Sequence, residues 1–177
     1  MTRLRTRDVG AFTQLVERYE RPMFNVAYRM LGDRTDAADA TQNVFLKIFE
    51  NIEGYDPKYR LFSWIYRIAM NESLDRLKRR RHANAVAVGV EHLALASVDR
   101  EPEQIVGAAQ VHDVIQAALM ELPHDQRVVI VLRHFSECSY TQIADILHIP
   151  EKTVKSRLYS ARQELRGRLQ AQGALST

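Results

Sequence analysis

Apolar residues recur at helical spacing over most of the first half of the chain. The stripes are Phe12, Leu15, Val16 and Tyr19; Phe24, Ala27, Tyr28 and Leu31; Thr41, Val44, Phe45, Ile48, Phe49 and Ile52; and Phe62, Ile65, Ile68 and Ala69. Apolar side chains three and four residues apart form one face of an α-helix. We therefore predict four amphipathic helices. The second ends at Gly32 as a C′ glycine, and the loop NIEGYDPKYR separates the third from the fourth.

A second helical unit follows a stretch in which the stripe disappears. Residues 83–107 are rich in small side chains and become acidic towards their end, which predicts a flexible linker. Beyond the linker, apolar stripes return at Val111, Ile115, Ala118 and Leu119 and at Val128, Val129, Val131 and Leu132. The predicted fold is all-α, with two small helical domains at residues 1–82 and 108–177.

The segment SYTQIADILHIPEKTVKSRLYSARQEL contains two apolar runs separated by HIPEKT. Ser139 and Gln142 fit a capping box, which predicts the start of a helix. Pro150 restricts the residue before it, so this helix is expected to end at His148–Ile149. A longer helix with its own apolar stripe follows at once. A short helix, a tight turn and a longer helix predict a helix-turn-helix in the C-terminal domain.

The longer helix of this motif carries side chains that suit DNA. At about 100° per residue, polar and basic residues fall opposite the stripe or beside it. Side chains near the N-terminal end of such a helix can enter the major groove, while lysines and arginines hold phosphates. The alternative is an ordinary helical hairpin with a solvated basic face.

Composition and charge narrow the class of protein. The 177 residues carry a net charge of +3 and a pI of about 9.1. The basic runs LKRRRH and 152–168 are separated from the acidic runs DRTDAADA and VDREPE, which favours a polyanionic partner. No apolar run approaches the roughly 20 residues of a membrane span, so no membrane insertion is expected. The N-terminus lacks a secretory signal, and Cys138 as the single cysteine suits a reducing compartment. These features predict a cytoplasmic protein.

The sequence contains no pattern that predicts catalysis. A P-loop, a nucleophile elbow and a glycine-rich dinucleotide turn are all missing. His134 and Cys138 are four residues apart, but no second pair completes a tetrahedral metal site. We therefore expect no metal, no cofactor and no enzymatic activity of its own. A nucleic-acid-processing enzyme is disfavoured because no acidic or metal-ligand cluster suits that chemistry.

Two long segments resemble the domains of bacterial sigma factors. LPHDQRVVIVLRHFSECSYTQIADILHIPEKTVKSRLYSARQEL resembles the promoter-reading C-terminal domain. DAADATQNVFLKIFENI and LFSWIYRIAMNESLDRLKRR resemble the domain that binds core polymerase and melts the promoter. A chain with only these two domains is similar to the extracytoplasmic-function (ECF) subfamily. The resemblance implies a sigma factor that directs promoter-specific initiation in a stress or envelope-signal response. It also implies three partners: core RNA polymerase, promoter DNA and an anti-sigma factor.

The same resemblance implies three sets of functional residues. Duplex DNA at the −35 element would be contacted by Lys152, Thr153, Lys155, Ser156, Arg157, Tyr159 and Arg162. Single-stranded DNA at the −10 element would be contacted by Tyr55, Asp56, Lys58, Tyr59, Arg60, Trp64, Arg67, Asn71 and Lys78. The core polymerase would be contacted by Asp36, Asp39, Gln42, Asn43, Leu46, Lys47 and Glu50. Asn43 replaces the family's usual acidic residue after TQ, and Lys152 replaces its usual glycine before TVKSRL.

Several alternatives remain open from the sequence. Leu46 is an apolar residue among polar ones, which suits a protein partner but also an ordinary surface position. Trp64 suits either a base contact or the core. The linker is a tether, or by resemblance a segment that threads the RNA exit path. The rival function is a stand-alone helix-turn-helix regulator that binds duplex DNA without polymerase.

Overall fold

A computed structural model describes residues 2–87 and 108–171. In these residues the chain forms helices and turns, without strands. The N-terminal unit comprises α1 (Thr2–Arg5), α2 (Val9–Leu31), α3 (Arg34–Asn51), a 3₁₀ turn (Ile52–Gly54) and α4 (Leu61–Ala87). The C-terminal unit comprises α5 (Ala108–Glu121), α6 (His124–Ile130), a π-helical turn (Val131–Phe135), α7 (Tyr140–Leu147) and α8 (Glu151–Ala171). The all-α prediction is confirmed.

The first two predicted helices are one continuous helix, and the prediction of two was wrong. α2 runs for 23 residues through Pro22. An interior proline removes one backbone hydrogen bond and costs about 3 kcal/mol. The buried stripe nevertheless continues past it through Met23, Val26 and Met30, and burial of these side chains outweighs that cost. The predicted stop at Gly32 is confirmed, because Gly32 has a φ of 78° and its N–H donates to the Tyr28 carbonyl.

Helix α4 extends into the segment that is predicted as the linker. α4 remains helical from residue 83 to Ala87, a segment with three alanines that extends an existing helix and so needs no new nucleus. Residues 88–107, on which the rest of the flexible-linker prediction falls, lie outside the described residues, as do residues 172–177 of the predicted C-terminal domain.

The two helical units pack against each other. α4 packs on α7, and the C-terminal end of α2 packs on α5 and on the π-helical turn. Arg127 is buried here, and its Nη1 donates to the Met30 carbonyl at 2.6 Å. Burial lowers the pKa of Arg127 to about 10. A cation bonded to carbonyls at the C-terminal end of a helix is well placed, because that end carries the negative pole of the helix dipole.

Candidate nucleic-acid and protein interfaces

The helix-turn-helix predicted from the capping box and the proline is present in the structure. The Ser139 hydroxyl accepts from the Gln142 N–H, and the Gln142 side chain accepts from the Ser139 N–H. α7 ends at His148, which lies in the left-handed region at φ 52°. α7 and α8 then pack through Ile143, Ile146 and Val154 at the motif's centre, all of which are buried.

α8 presents most of the predicted −35 residues to solvent. Lys152, Lys155, Ser156, Tyr159 and Arg162 are exposed, while Thr153 and Arg157 are half-buried. Tyr159 is 68% exposed, which is high for an aromatic side chain. Arg157 is turned towards α6, where its Nε lies 3.9 Å from Asp125 Oδ2. The helix therefore offers five accessible donors along one face, and Arg157 stands at the edge of that face.

Lys155 has two neighbours that are not among the predicted −35 residues, Glu151 and Tyr140. Lys155 Nζ lies 3.1 Å from Glu151 Oε1 and 6.0 Å from the centre of the Tyr140 ring. The Arg133 guanidinium lies 5.4 Å from the same ring. Thr141 donates to Glu151 at 3.1 Å. Ring faces attract cations, so Tyr140 holds both basic groups at one end of the α8 face.

The two tyrosines in the loop before α4 have different environments. Tyr55 is 4% exposed, its hydroxyl donates to the Tyr59 carbonyl, and its ring lies 5.3 Å from the Trp64 ring. Tyr59 is 55% exposed. Asp56 accepts from the backbone N–H of Lys58 at 3.0 Å, which closes the turn. A base contact by Tyr55 would require this loop to rearrange, whereas Tyr59 presents its ring to solvent together with Lys58 and Arg60.

The predicted −10 residues on α4 differ in what they contact. Trp64 is half-buried against Tyr55, and Asn71 and Lys78 are exposed. Arg67 donates to the Asp145 carbonyl at 2.6 Å and to the Ile146 carbonyl at 3.3 Å, so the C-terminal end of α7 holds it. A cavity of about 450 Å³ lies beside α4. Its walls are Lys47, Asn51, Gly54, Trp64, Ile68, Asn71 and Asp75.

Two of the predicted polymerase residues on α3 bond to a buried carboxylate, Glu72, that was not among the predicted functional residues. Glu72 on α4 accepts from Lys47 Nζ at 2.6 Å, from Arg76 Nε at 2.9 Å and from Asn43 Nδ2 at 3.2 Å. Burial raises the pKa of Glu72, but these hydrogen bonds outweigh that effect and lower it to about 2. We call Glu72, Lys47, Arg76 and Asn43 the Glu72 cluster; it ties α3 to α4.

An open apolar groove, here the α2–α3 groove, runs along the other side of α3. Its volume is about 690 Å³, and its walls are Phe12, Val16, Glu20, Arg21, Phe24, Ala38, Thr41, Gln42, Phe45, Leu46 and Phe49. Leu46 is 58% exposed at its rim. Asp39, Gln42 and Glu50 are exposed on the same helix, and Asp36 is half-buried and paired with Arg80. An apolar floor with a polar rim is the anatomy of a protein-binding surface.

The acidic, histidine and cysteine side chains of the described residues form few clusters. Residues 2–87 and 108–171 contain no group of three or more histidine, cysteine or acidic side chains that could hold a metal ion. Burial raises the pKa of the Cys138 thiol to about 12, so the reactive thiolate is scarce at neutral pH. Among the same residues, no helix has both the length and the apolar character needed to cross a membrane.

Comparisons with known proteins match both helical units. Residues 15–83 match the family model described as Sigma-70 region 2, and residues 112–165 match Sigma-70, region 4. The chain is 34% identical over 169 residues to the ECF RNA polymerase sigma factor SigW of Bacillus subtilis. This match covers 92% of the chain and 90% of the relative.

Two solved structures share the fold. The first is the sigma factor RpoE in complex with the anti-sigma factor NepR from Bartonella quintana, with a TM-score of 0.72, 23% identity and coverage of 90% and 97% of the two chains. The second is CnrH in complex with the cytosolic domain of CnrY, with a TM-score of 0.71, 24% identity and coverage of 96% and 94%. The match to SigW extends over both helical units, with the helix-turn-helix at one end and the α2–α3 groove at the other. This chain therefore belongs to the ECF family of RNA polymerase sigma factors.

Proposed function

We propose that this chain binds core RNA polymerase through the α2–α3 groove and directs it to promoters through α8 and the α4 region. The observation that carries the proposal is the presence, on one chain, of an exposed donor face on a helix-turn-helix and a separate open apolar groove. A plain duplex binder needs the first surface but has no use for the second. The chain itself performs no chemistry, because the polymerase supplies the active site.

The α8 face is proposed to read the −35 element as duplex. Lys152 and Ser156 stand near the N-terminal end of the helix, where side chains reach base edges in the major groove. Lys155 and Arg162 lie at the flank, where phosphates pass. In the protein these cations bond to exposed neighbours, Glu151 and His134. Exposed pairs contribute only about 0–1 kcal/mol, so a phosphate can replace them at little cost.

The loop at residues 55–60 and the exposed part of α4 are proposed to hold the unpaired −10 element. Tyr59 presents a ring to solvent beside Lys58 and Arg60, and single-stranded DNA binds to such combinations of stacking surface and positive charge. The cavity beside α4 is large enough for a nucleobase, and its wall includes the Asn71 amide, which has both a donor and an acceptor for a base edge.

The two units must separate when both promoter elements are bound. Sites at −35 and −10 are about 25 base pairs apart, or roughly 85 Å of duplex at 3.4 Å per pair. Here α7 lies directly on α4, and Arg67 bonds to carbonyls of α7. We call this arrangement, with α7 packed on α4, the closed form. In the closed form one predicted −10 residue, Arg67, is bonded to α7 instead of DNA, and the two DNA-binding surfaces are too close together for one promoter.

An anti-sigma factor is the proposed regulator. Both solved structures described above are complexes, one with an anti-sigma factor and one with the cytosolic domain of CnrY. A protein that covered the α2–α3 groove or held the two units together would keep this chain from polymerase. We place this exchange in the cytoplasm, where bacterial polymerase and DNA are found, and expect it to respond to stress or an envelope signal.

Leu46→Glu tests the central claim, with Val9→Glu as the matched control. Both residues are exposed and apolar, at 58% and 79%, but only Leu46 lines the groove. We expect Leu46→Glu to weaken binding to core polymerase at least about tenfold, because a bound partner would desolvate the new charge against the apolar groove. Val9→Glu should bind like the unchanged chain. Binding is measured by fluorescence anisotropy and checked by transcription from a promoter template.

Two outcomes would contradict the proposal. One is full retention of polymerase binding by Leu46→Glu while its helical content is unchanged. The other is tight duplex binding by the free chain with no association with polymerase, which would favour the stand-alone regulator instead.

A further inference from the structure

The contact between the two helical units includes His112, which accepts a hydrogen bond only when its ring is neutral. Arg29, near the C-terminal end of α2, donates to Gln116 Oε1 at 2.9 Å. Its Nη2 lies 2.5 Å from His112 Nε2, and its guanidinium lies 4.4 Å from the Phe135 ring. Gln116 also donates to the Tyr28 carbonyl at 3.2 Å. One arginine of the N-terminal unit is therefore held by three side chains of the C-terminal unit.

His112 fits this contact only when its ring is neutral. A guanidinium has hydrogens to donate and no acceptor, so Nε2 must offer a lone pair. The ring proton then lies on Nδ1, which is 3.9 Å from Asp113 Oδ1. The neutral ring also stacks on Tyr28 with centroids 6.2 Å apart and planes 11° apart. A second proton on Nε2 would remove the acceptor and place two cations in direct contact.

The charged groups around His112 are mainly basic. α2 supplies Arg29, the N-terminal end of α3 supplies Arg34, and its own helix supplies Asp113. Phe135 of the π-helical turn brings no charge. Burial, followed by the charges of Arg29 and Arg34, lowers the pKa of His112 below its ordinary value of 6.5, although Asp113 opposes them. The surroundings therefore disfavour the imidazolium.

We propose that protonation of His112 releases Arg29 and opens the contact between the two helical units, so that mild acid separates them. The proposal goes beyond promoter and polymerase recognition, because it concerns the chain alone. Its consequence for transcription, the release of Arg67 from α7, rests on the proposed function. The closed form is favoured where His112 is neutral.

The direction with pH follows from linkage. In the open form His112 is solvated, with a pKa near the ordinary 6.5, and in the closed form its pKa is lower. Closure is therefore fully favoured above about pH 6.5 and weakens as pH falls towards the closed-form pKa. One proton is involved, so the closure constant changes by at most about tenfold per pH unit in that window.

Two other histidines serve as comparisons. His124 on α6 also lies at the contact, near Arg127 and Arg81, and burial lowers its pKa. His134 accepts from Arg162 at 3.3 Å, and both residues belong to the C-terminal unit. Burial lowers the pKa of His134 as well. A response that comes from His112 must survive His134→Gln and persist in large part in His124→Gln.

The test is energy transfer between dyes on the two units of the full chain. Gln14→Cys on α2 and Gln170→Cys on α8 are exposed labelling sites, in a Cys138→Ala background that leaves no other cysteine. We expect transfer to fall reversibly from about pH 7.5 to about pH 5.5 while helical content stays constant. His112→Gln keeps an acceptor without a charge, so transfer should stay high throughout. His112→Lys carries a permanent cation and should give low transfer at every pH.

Each contrary outcome overturns the proposal. Transfer that does not change with pH in the unchanged chain would show that the contact is insensitive to acid. A pH response in His112→Gln with the original midpoint and amplitude would remove His112 as its source. If His124→Gln abolishes the response and His112→Gln does not, the proton acts at His124. High transfer in His112→Lys would show that Arg29 tolerates a neighbouring cation.

Discussion

The charged side chains of the two helical units are held in different ways. On α8, Lys155 pairs with Glu151, and both groups are largely exposed at 58% and 42%. Between α3 and α4, Lys47, Arg76 and Asn43 converge on Glu72, whose side chain is only 2% exposed. A buried carboxylate that loses its partners leaves an uncompensated charge, whereas exposed ions are solvated by water. Charges on α8 are thus free to change partners, and those of the Glu72 cluster hold the domain together.

The two tyrosines of the loop differ in the same way, since Tyr55 is buried and Tyr59 is exposed. Tyr55→Ala is expected to have the largest effect of the variants considered. We expect this change to lower the free energy of unfolding by about 4 kcal/mol, because it removes a buried ring and its contact with Trp64. Tyr59→Ala should alter stability by less than about 0.5 kcal/mol, yet weaken binding to single-stranded −10 DNA by about 1–3 kcal/mol. Urea unfolding and anisotropy measure the two effects. Equal stability of the two variants would mean that Tyr55 is not part of the core.

Glu72→Gln tests whether the Glu72 cluster is structural. We expect a loss of about 3 kcal/mol in the free energy of unfolding, with Asp75→Asn, an exposed neighbour on α4, as the nearly neutral control. The pKa of Glu72 is lowered from 4.5 to about 2, so its stabilisation is complete above pH 4.5 and is lost as pH falls through about 2. Urea titrations over this range should show the gap between variant and unchanged chain narrowing. If the difference in the free energy of unfolding did not change with pH, the loss of stability would not come from the charge of Glu72.

Lys155→Ala tests the exposed side of the comparison. We expect the −35 affinity of the holoenzyme to fall by about 1 kcal/mol and the slope of log K against log salt to drop by about 0.9, since one phosphate contact is lost. The folded protein should unfold at an unchanged urea concentration, because the pair with Glu151 is exposed. Glu164→Ala, at an exposed position farther along α8, is the control. An unchanged salt slope would remove Lys155 from the phosphate contacts.

His148→Gly has the smallest expected effect. His148 ends α7 at φ 52°, a conformation that strains any residue with a Cβ atom. Glycine should raise the free energy of unfolding by about 0.5–1 kcal/mol, the gain in the folded turn being partly offset by the greater freedom of the unfolded chain. His82→Gly, at an exposed position inside α4, should do the opposite by a similar amount. Thermal unfolding compares them, and destabilisation by His148→Gly would show that the imidazole itself stabilises the turn.

The sequence predicted best where a single local rule decides the outcome. Ser139 with Gln142, and Gly32 at the end of an apolar stripe, act through neighbouring backbone atoms, and both predictions are confirmed. The periodicity of α8 also separates its buried Val154 and Leu158 from its exposed face. Such features depend on residues a few positions apart, and the chain alone contains that information.

The same local rules could not predict contacts between residues that are far apart in the sequence. Residue type alone does not distinguish Tyr55 from Tyr59, because their difference arises where the loop meets Trp64. Arg67 bonds to α7, 78 and 79 residues away. Glu72 did leave a signal, since it falls on the apolar stripe of α4 with Ile65 and Ala69, and a carboxylate there requires buried cations. Whether each predicted DNA or polymerase residue binds its partner stays a prediction.

Gly32, which ends α2, also limits which substitutions this position can accept during evolution. Gly32 stops the helix with a positive φ, and a methyl group at this position would come within 2.6 Å of Met120 Sδ in the other unit. The absence of a Cβ atom at this position therefore meets two separate requirements: the positive φ that ends the helix and the close approach of Met120. In a lineage that replaced the glycine, the Met120 side chain would have to move and the backbone would be strained at its positive φ, so position 32 is expected to resist change although it is exposed to water.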